Sequence, residues 1–172
     1  MGILNKNRLL LMTREMRKEI KLRDKIVKHR DIEGLFQLKN DDYFSIALMQ
    51  IFVNICNYKP DNLNHPQKVL FLCMMLEDFG QADTILEFFI EYPESICEIV
   101  NALYEIESVK SAELISQVIE ILPKNISFSD IMAGDNCWET LNKIDSKFSS
   151  YPDGRTSVLY RKFAEKHRDE LF

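Results

Sequence analysis

Apolar residues recur at intervals of three and four along most of the chain, the spacing that lines up one face of an α-helix. Between Leu4 and Arg30 the stripe is Leu9, Met12, Met16, Ile20 and Val27 with Lys and Arg around the rest, which predicts an amphipathic basic helix. After Gly34, an Asp41-Asp42 start leads into Phe44, Leu48, Ile51, Phe52 and Ile55, the broad apolar face of a second helix that ends in Asn57–Asn62. A third helix opens at Pro66, a residue suited to a first turn, and runs through Leu70, Met74 and Glu77 to a stop near Gly80.

The spacing then predicts a short helix from Asp83 to Tyr92 and a break at Pro93, followed by a helix facing inward with Ile96, Ile99, Val100, Leu103 and Ile106. Ser108 is placed to cap the next, whose inner face is Ala112, Ile115, Val118, Ile119 and Leu122. Ser127 and Asp130 resemble a capping box for a short helix, and Asp135 is placed to cap one presenting Trp138, Leu141, Ile144 and Phe148. Tyr151-Pro152-Asp153-Gly154 is a turn, and Val158–Leu171 reads as a final helix. Strict alternation framed by turn residues is absent, and no period repeats. The expectation is an all-α fold: a single irregular helical bundle of about seven to eight helices with no substantial sheet, formed by residues 1–172 as one domain.

Composition agrees with a packed core. Apolar residues make up 46% of the 172 and charged residues 28%, with only five Gly and five Pro. The longest apolar run, Val69–Leu76, is too short for a membrane-spanning helix, which needs roughly 20 residues. The N-terminal residues carry neither a secretory nor a myristoylation pattern. Cys56, Cys73, Cys97 and Cys137 stand far apart beside apolar neighbours and read as buried thiols, so a reducing cytoplasm is the expected compartment.

Chemical motifs are missing. His29, His65 and His167 share no local spacing with Cys or Glu that makes a metal site, and the glycines are scattered singly, so no phosphate loop, nucleophile elbow or dinucleotide fingerprint is present. No cofactor and no metal are expected, and no residue is assigned a catalytic role. The one enzymatic alternative gathers Glu77, Asp78 and Asp83 around His65.

Charge changes the picture. The formal net charge of −5 conceals two opposed regions. Residues 1–30 carry ten Lys or Arg against three acids, whereas residues 77–120 carry eleven acids against Lys110 alone. Asp83, Glu87 and Glu91 recur every four residues and predict a carboxylate ridge along one helix, and Glu94, Glu98 and Glu105 predict a second after Pro93. One reading is an outer face relieved by the basic first helix folding across it. The other is a surface for a basic partner, because ordered carboxylates compete with DNA phosphates for Lys and Arg. These six acids are then the candidate partner-binding residues. The first 30 residues hold no aromatic platform for bases, which argues against direct nucleic-acid binding.

Several short segments, in order, carry a resemblance. They are Leu63-Asn64-His65-Pro66-Gln67-Lys68, Glu87-Phe88-Phe89, Ala102-Leu103 with Lys110-Ser111-Ala112-Glu113-Leu114, Ile144-Asp145-Ser146-Lys147-Phe148, and the closing Lys166-His167-Arg168-Asp169-Glu170-Leu171-Phe172. Over Leu63–Phe172 the chain resembles a bacterial family of uncharacterised all-helical domains that includes a DNA-mimic protein. It departs from the family's Asn-Gly-Gly-Phe turn before the paired aromatics, reading Gln81-Ala82 or Asp83-Thr84 followed by Ile85. The resemblance implies an all-helical fold and, as in at least one relative, a DNA-like acidic surface that binds a transcription factor, often as a dimer; together with the missing motifs the expectation is a non-catalytic interaction domain, a basic DNA-binding protein as partner, and a homodimer. An antitoxin-like inhibitor of a basic nuclease uses the same electrostatics and is the alternative.

Overall fold

In a computed structural model the described residues are 13–122 and 135–172, without the side chains of 135–137. Among them are ten α-helices, eight of seven residues or more, and no strand. In chain order they are α1 (Arg14–His29), α2 (Ile32–Gln37), α3 (Asp41–Cys56), α4 (His65–Ala82), α5 (Ile85–Glu91), α6 (Ile96–Glu105), α7 (Val109–Ile121), α8 (Asp135–Ser149), α9 (Thr156–Lys166) and α10 (Arg168–Leu171). Single 3-10 turns at Pro60–Asn62 and Pro93–Ser95 precede α4 and α6.

The apolar run that is too short for a membrane is the centre of the bundle. Val69–Leu76 lies in α4 and is buried on every side, as expected of a helix without a polar face. Helices α3, α5, α6, α8, α9 and α10 pack around it. Outside this ring, α1 and α2 lie on α3, and α7 lies on α6 and α8. Thus α1 and α7 are separated by α3, α4 and α6. No helix of the described residues is long and apolar enough to cross a membrane.

Starts and stops explain where the expected boundaries moved. Helix α4 begins at His65, with Pro66 in its first turn, because Asn64 and Gln67 form a reciprocal capping box. It runs past Gly80, which is no cap: a Cβ there would sit 2.9 Å from Ile85 Cγ2 and 3.3 Å from the Phe148 ring. The glycine lets α5 and α8 approach α4. A short helix, α2, is capped by Asp31, whose carboxylate accepts from the Gly34 N–H, and was not foreseen. The expected final helix Val158–Leu171 is two, divided at His167.

Most of the inner faces are as expected: Phe44, Leu48, Ile51, Phe52, Ile99, Leu103, Ile115, Val118, Leu141, Ile144 and Phe148 are buried. Three expectations are corrected. Ile55 and Met16 are exposed, while Ile26, absent from the expected stripe of the first helix, is the buried residue of α1. Cys97 is exposed while Cys56 and Cys73 are buried, because one step from Ile96 along α6 turns the side chain about 100° away from the core. The expected Leu9 and Met12 positions, the Ser127–Asp130 capping box and Cys137 lie outside the described residues or side chains.

Candidate acidic interface

The acidic segment begins inside α4, with Glu77 and Asp78, and continues past its end. Asp83 is the C-terminal cap of α4, with φ −149° and ψ −86°, and Thr84 caps α5. Asp83 therefore does not stand on the helix that carries Glu87 and Glu91, and the expected three-residue ridge is broken at its first member. The four-residue spacing is right, but the backbone turns between Ala82 and Ile85.

Helix α5 is only seven residues long, so its placement depends on contacts made elsewhere. Its first N–H, that of Ile85, donates to Asp145 Oδ1 of α8 at 2.9 Å. Burial pushes the Asp145 carboxyl above its ordinary value and outweighs the hydrogen bonds from Ile85 and Thr84, and the Asp83 charge nearby adds to the rise. Ser149 Oγ donates to the Gly80 carbonyl at 3.0 Å, and Gln81 donates to the Ser149 carbonyl at 3.1 Å. Behind α5, Phe88, Phe89 and Tyr92 are buried, with Tyr92 edge-on to Phe71 and Phe79. Tyr92 is thus a packing residue, and burial beside Glu91 lifts its hydroxyl to about 12.

The second expected ridge divides. Glu94 lies in the 3-10 turn and is exposed. Glu98 and Glu105, two turns apart on α6, face the first turns of α4. Lys68 bridges Glu98 at 2.7 Å and Asp61 at 2.9 Å, and His65 Nε2 meets Glu105 at 2.9 Å. Burial alone would lower the Lys68 pKa, but its hydrogen bonds to Glu98 and Asp61 outweigh this and raise it. Sequence spacing missed these partners because they lie 30 and 40 positions upstream on another helix.

Asp83, Glu91 and Glu94 are exposed and Glu87 half-buried, and none of the four makes an ion pair among the described residues. Glu113 and Glu120 on α7 are likewise exposed and without an ion pair there. The described part of the basic helix, α1, does not cover them. Among the described residues α1 packs chiefly on α3 and α2, and Asp78 of the acidic segment borders it across a cleft also lined by Lys28.

The enzymatic grouping does not assemble. Glu77 follows His65 by twelve residues on the same helix, about 18 Å along its axis. Glu77 instead accepts from Thr156 Oγ1 at 2.6 Å and Tyr160 OH at 2.8 Å, and so ties α9 to α4. Among the described residues no three His, Cys, Asp or Glu side chains gather as metal ligands.

No curated protein and no solved structure matches the chain. A family model described as DMP19-like protein matches residues 61–167, from the turn before α4 to the end of α9. This covers more than half of the chain and every acid from Glu77 to Glu120. The chain accordingly belongs to the DMP19-like protein family, the DNA-mimic family to which its sequence segments pointed.

Proposed function

We propose that this chain is a non-catalytic interaction domain that engages a basic DNA-binding protein by presenting carboxylates in place of DNA phosphates. The observation that carries this reading is the set of acids from the α4–α5 junction to the turn before α6. Asp83, Glu87, Glu91 and Glu94 lie within the family-matched segment and have no ion-pair partner among the described residues, and buried aromatics back the helix that carries Glu87 and Glu91. Glu98 and Glu105 have a different role: Glu98 shares Lys68 with Asp61 and Glu105 is hydrogen-bonded to His65, so both join α6 to α4.

A partner built to bind DNA carries Lys and Arg at intervals matched to phosphates, and a carboxylate array attracts the same groups over the same range. The test is capture of proteins from the source cell on the immobilised chain at low ionic strength, with elution by duplex DNA. A basic DNA-binding protein released by the duplex is expected on the native chain and lost with Glu91→Lys and Glu94→Lys together, while Glu98→Gln with Glu105→Gln retains it. Capture that survives the charge reversal, or that duplex DNA does not displace, removes the reading. A captured nuclease whose cleavage is blocked would replace mimicry of an operator by inhibition of an enzyme.

A further inference from the structure

Helix α1 lies outside the family-matched segment and differs from it in charge, with seven Lys or Arg against three acids between Arg14 and His29. Arg14, Lys18, Lys21, Lys25 and Lys28 follow one another at steps of four, three, four and three, which keeps them on a single line along the helix for roughly 21 Å. All five are exposed, and none makes an ion pair among the described residues. The acids of the helix leave the line clear. At about 100° per residue Glu15 and Glu19 fall well to one side of it and Asp24 to the other. Asp24 is also held by Arg23 at 2.6 Å.

The helix is anchored by its far side. Ile26 is buried there, Ile20 and Val27 are half-buried, and the Arg23 guanidinium lies 5.9 Å from the centre of the Tyr43 ring on α3. The basic line therefore points away from the bundle on a helix whose position is fixed by packing. Steps of three and four residues set its cations about 4.5–6 Å apart along the axis. Duplex DNA carries one charge per roughly 1.7 Å of its own axis, so a line of this length faces about twelve phosphates. We propose that the outward line of α1 binds the phosphate backbone of duplex DNA without reading its sequence, a contact separate from the acidic interface and independent of it.

The composition of the face selects this polyanion. Helix α1 has no aromatic residue on which an unpaired base would stack and no Asn or Gln to bracket a base edge, which excludes base recognition but not contact with phosphates. Its apolar side is occupied by the bundle, which leaves none to enter a lipid surface. Protein interfaces depend on aromatic and apolar anchors, and here only Leu22 is exposed at the edge of the line. The net charge of −5 opposes a polyanion at long range. At physiological salt, however, charges are screened beyond about 8 Å, so a phosphate at the line meets the local excess of cations.

Fluorescence anisotropy of two short labelled duplexes of unrelated sequence, titrated with the full chain, tests this. Both are expected to bind alike, with Kd roughly 10⁻⁴–10⁻⁶ M at physiological salt, and log K is expected to fall against log salt with a slope of about −4.5 for five phosphate contacts. Lys18→Gln with Lys21→Gln and Lys25→Gln should reduce that slope to about −1.8, a graded change that a folding defect would not produce. Lys18→Glu with Lys21→Glu and Lys25→Glu is expected to weaken binding at least roughly a hundredfold, because it sets carboxylates against phosphates. Glu91→Lys with Glu94→Lys should not weaken duplex binding, and the α1 reversal should leave capture of a basic protein intact, so the two interfaces fail separately. No binding of either duplex at about 0.05 M salt, or a slope unchanged by the Gln substitutions, overturns the proposal. So does binding to phosphatidylserine vesicles without binding to the duplexes.

Discussion

Asp153 shows how a single side chain replaces a local cap with a distant one. Ser108 stands in the capping position of α7, yet its side chain makes no capping bond. Instead Asp153, in the turn before α9, accepts from the Lys110 N–H at 2.9 Å, the Ser111 N–H at 2.8 Å and the Ser111 hydroxyl at 2.8 Å, while Ser108 Oγ donates to it at 3.1 Å. Burial pushes the carboxyl up, but these donors outweigh it and hold the pKa below its ordinary 3.8. The contribution of the ionised group is therefore fully present above that ordinary value and is lost as the pH falls through the lower folded value. Asp153→Ala is expected to lower stability by about 1–2 kcal/mol in urea unfolding at neutral pH. The gap between variant and native chain should close in the acid range below about pH 4, where the native carboxylate protonates. A gap that persists undiminished in acid would show that the carboxylate's charge is not what holds α7.

At the scale of elements, α5 repeats this logic where it bears on function. Seven residues do not hold a helix in water, and Asp145 provides an acceptor for its first N–H from α8. Asp145→Ala is expected to cost about 1 kcal/mol and to raise amide exchange selectively across Leu86–Glu91, with weaker partner capture as Glu87 and Glu91 lose their fixed spacing. Asp145→Asn keeps an acceptor oxygen and should leave exchange close to native, the more so because burial already disfavours the charged form. Equal exchange in both variants would assign the effect to the charge instead of the cap.

The same elements show what was legible in the sequence. Three-and-four spacing located the larger helices and most of their buried faces, because periodicity is written locally. It missed α2, which is a single short turn set by Asp31, and it misplaced the end of α4, because the glycine that looks like a stop is a point of close contact. The acidic site was legible as composition but not as geometry. Four-residue spacing put Asp83 on the ridge without sensing the backbone turn at Thr84, and no local signal could pair Glu98 with Lys68 or Glu105 with His65.

For the whole molecule the question is whether α1, which the family segment leaves out, is an appendage or part of the same body. Its two faces answer to different measurements. Ile26 is 1% exposed and belongs to the cluster of buried residues that extends to Leu171. The basic line on the other side makes no ion pair among the described residues. We infer that α1 folds with the remainder as one cooperative unit. Ile26→Ala is then expected to remove about 2–4 kcal/mol, by lost burial and by the cavity left behind, and to shift one unfolding transition downward as a whole. With roughly 2–4 °C per kcal/mol for a chain of this size, calorimetry should read a fall on the order of 10 °C without a second peak. The reversal of Lys18, Lys21 and Lys25 to Glu should move the same transition by little, because exposed substitutions away from caps and cores typically change stability by about 0.5 kcal/mol or less. Two separated transitions, with Ile26→Ala affecting only the lower, would make α1 an independent attachment. In that case the core formed around α4 would stand without it, and the basic line would be carried on a tether free to reach acids in its own chain.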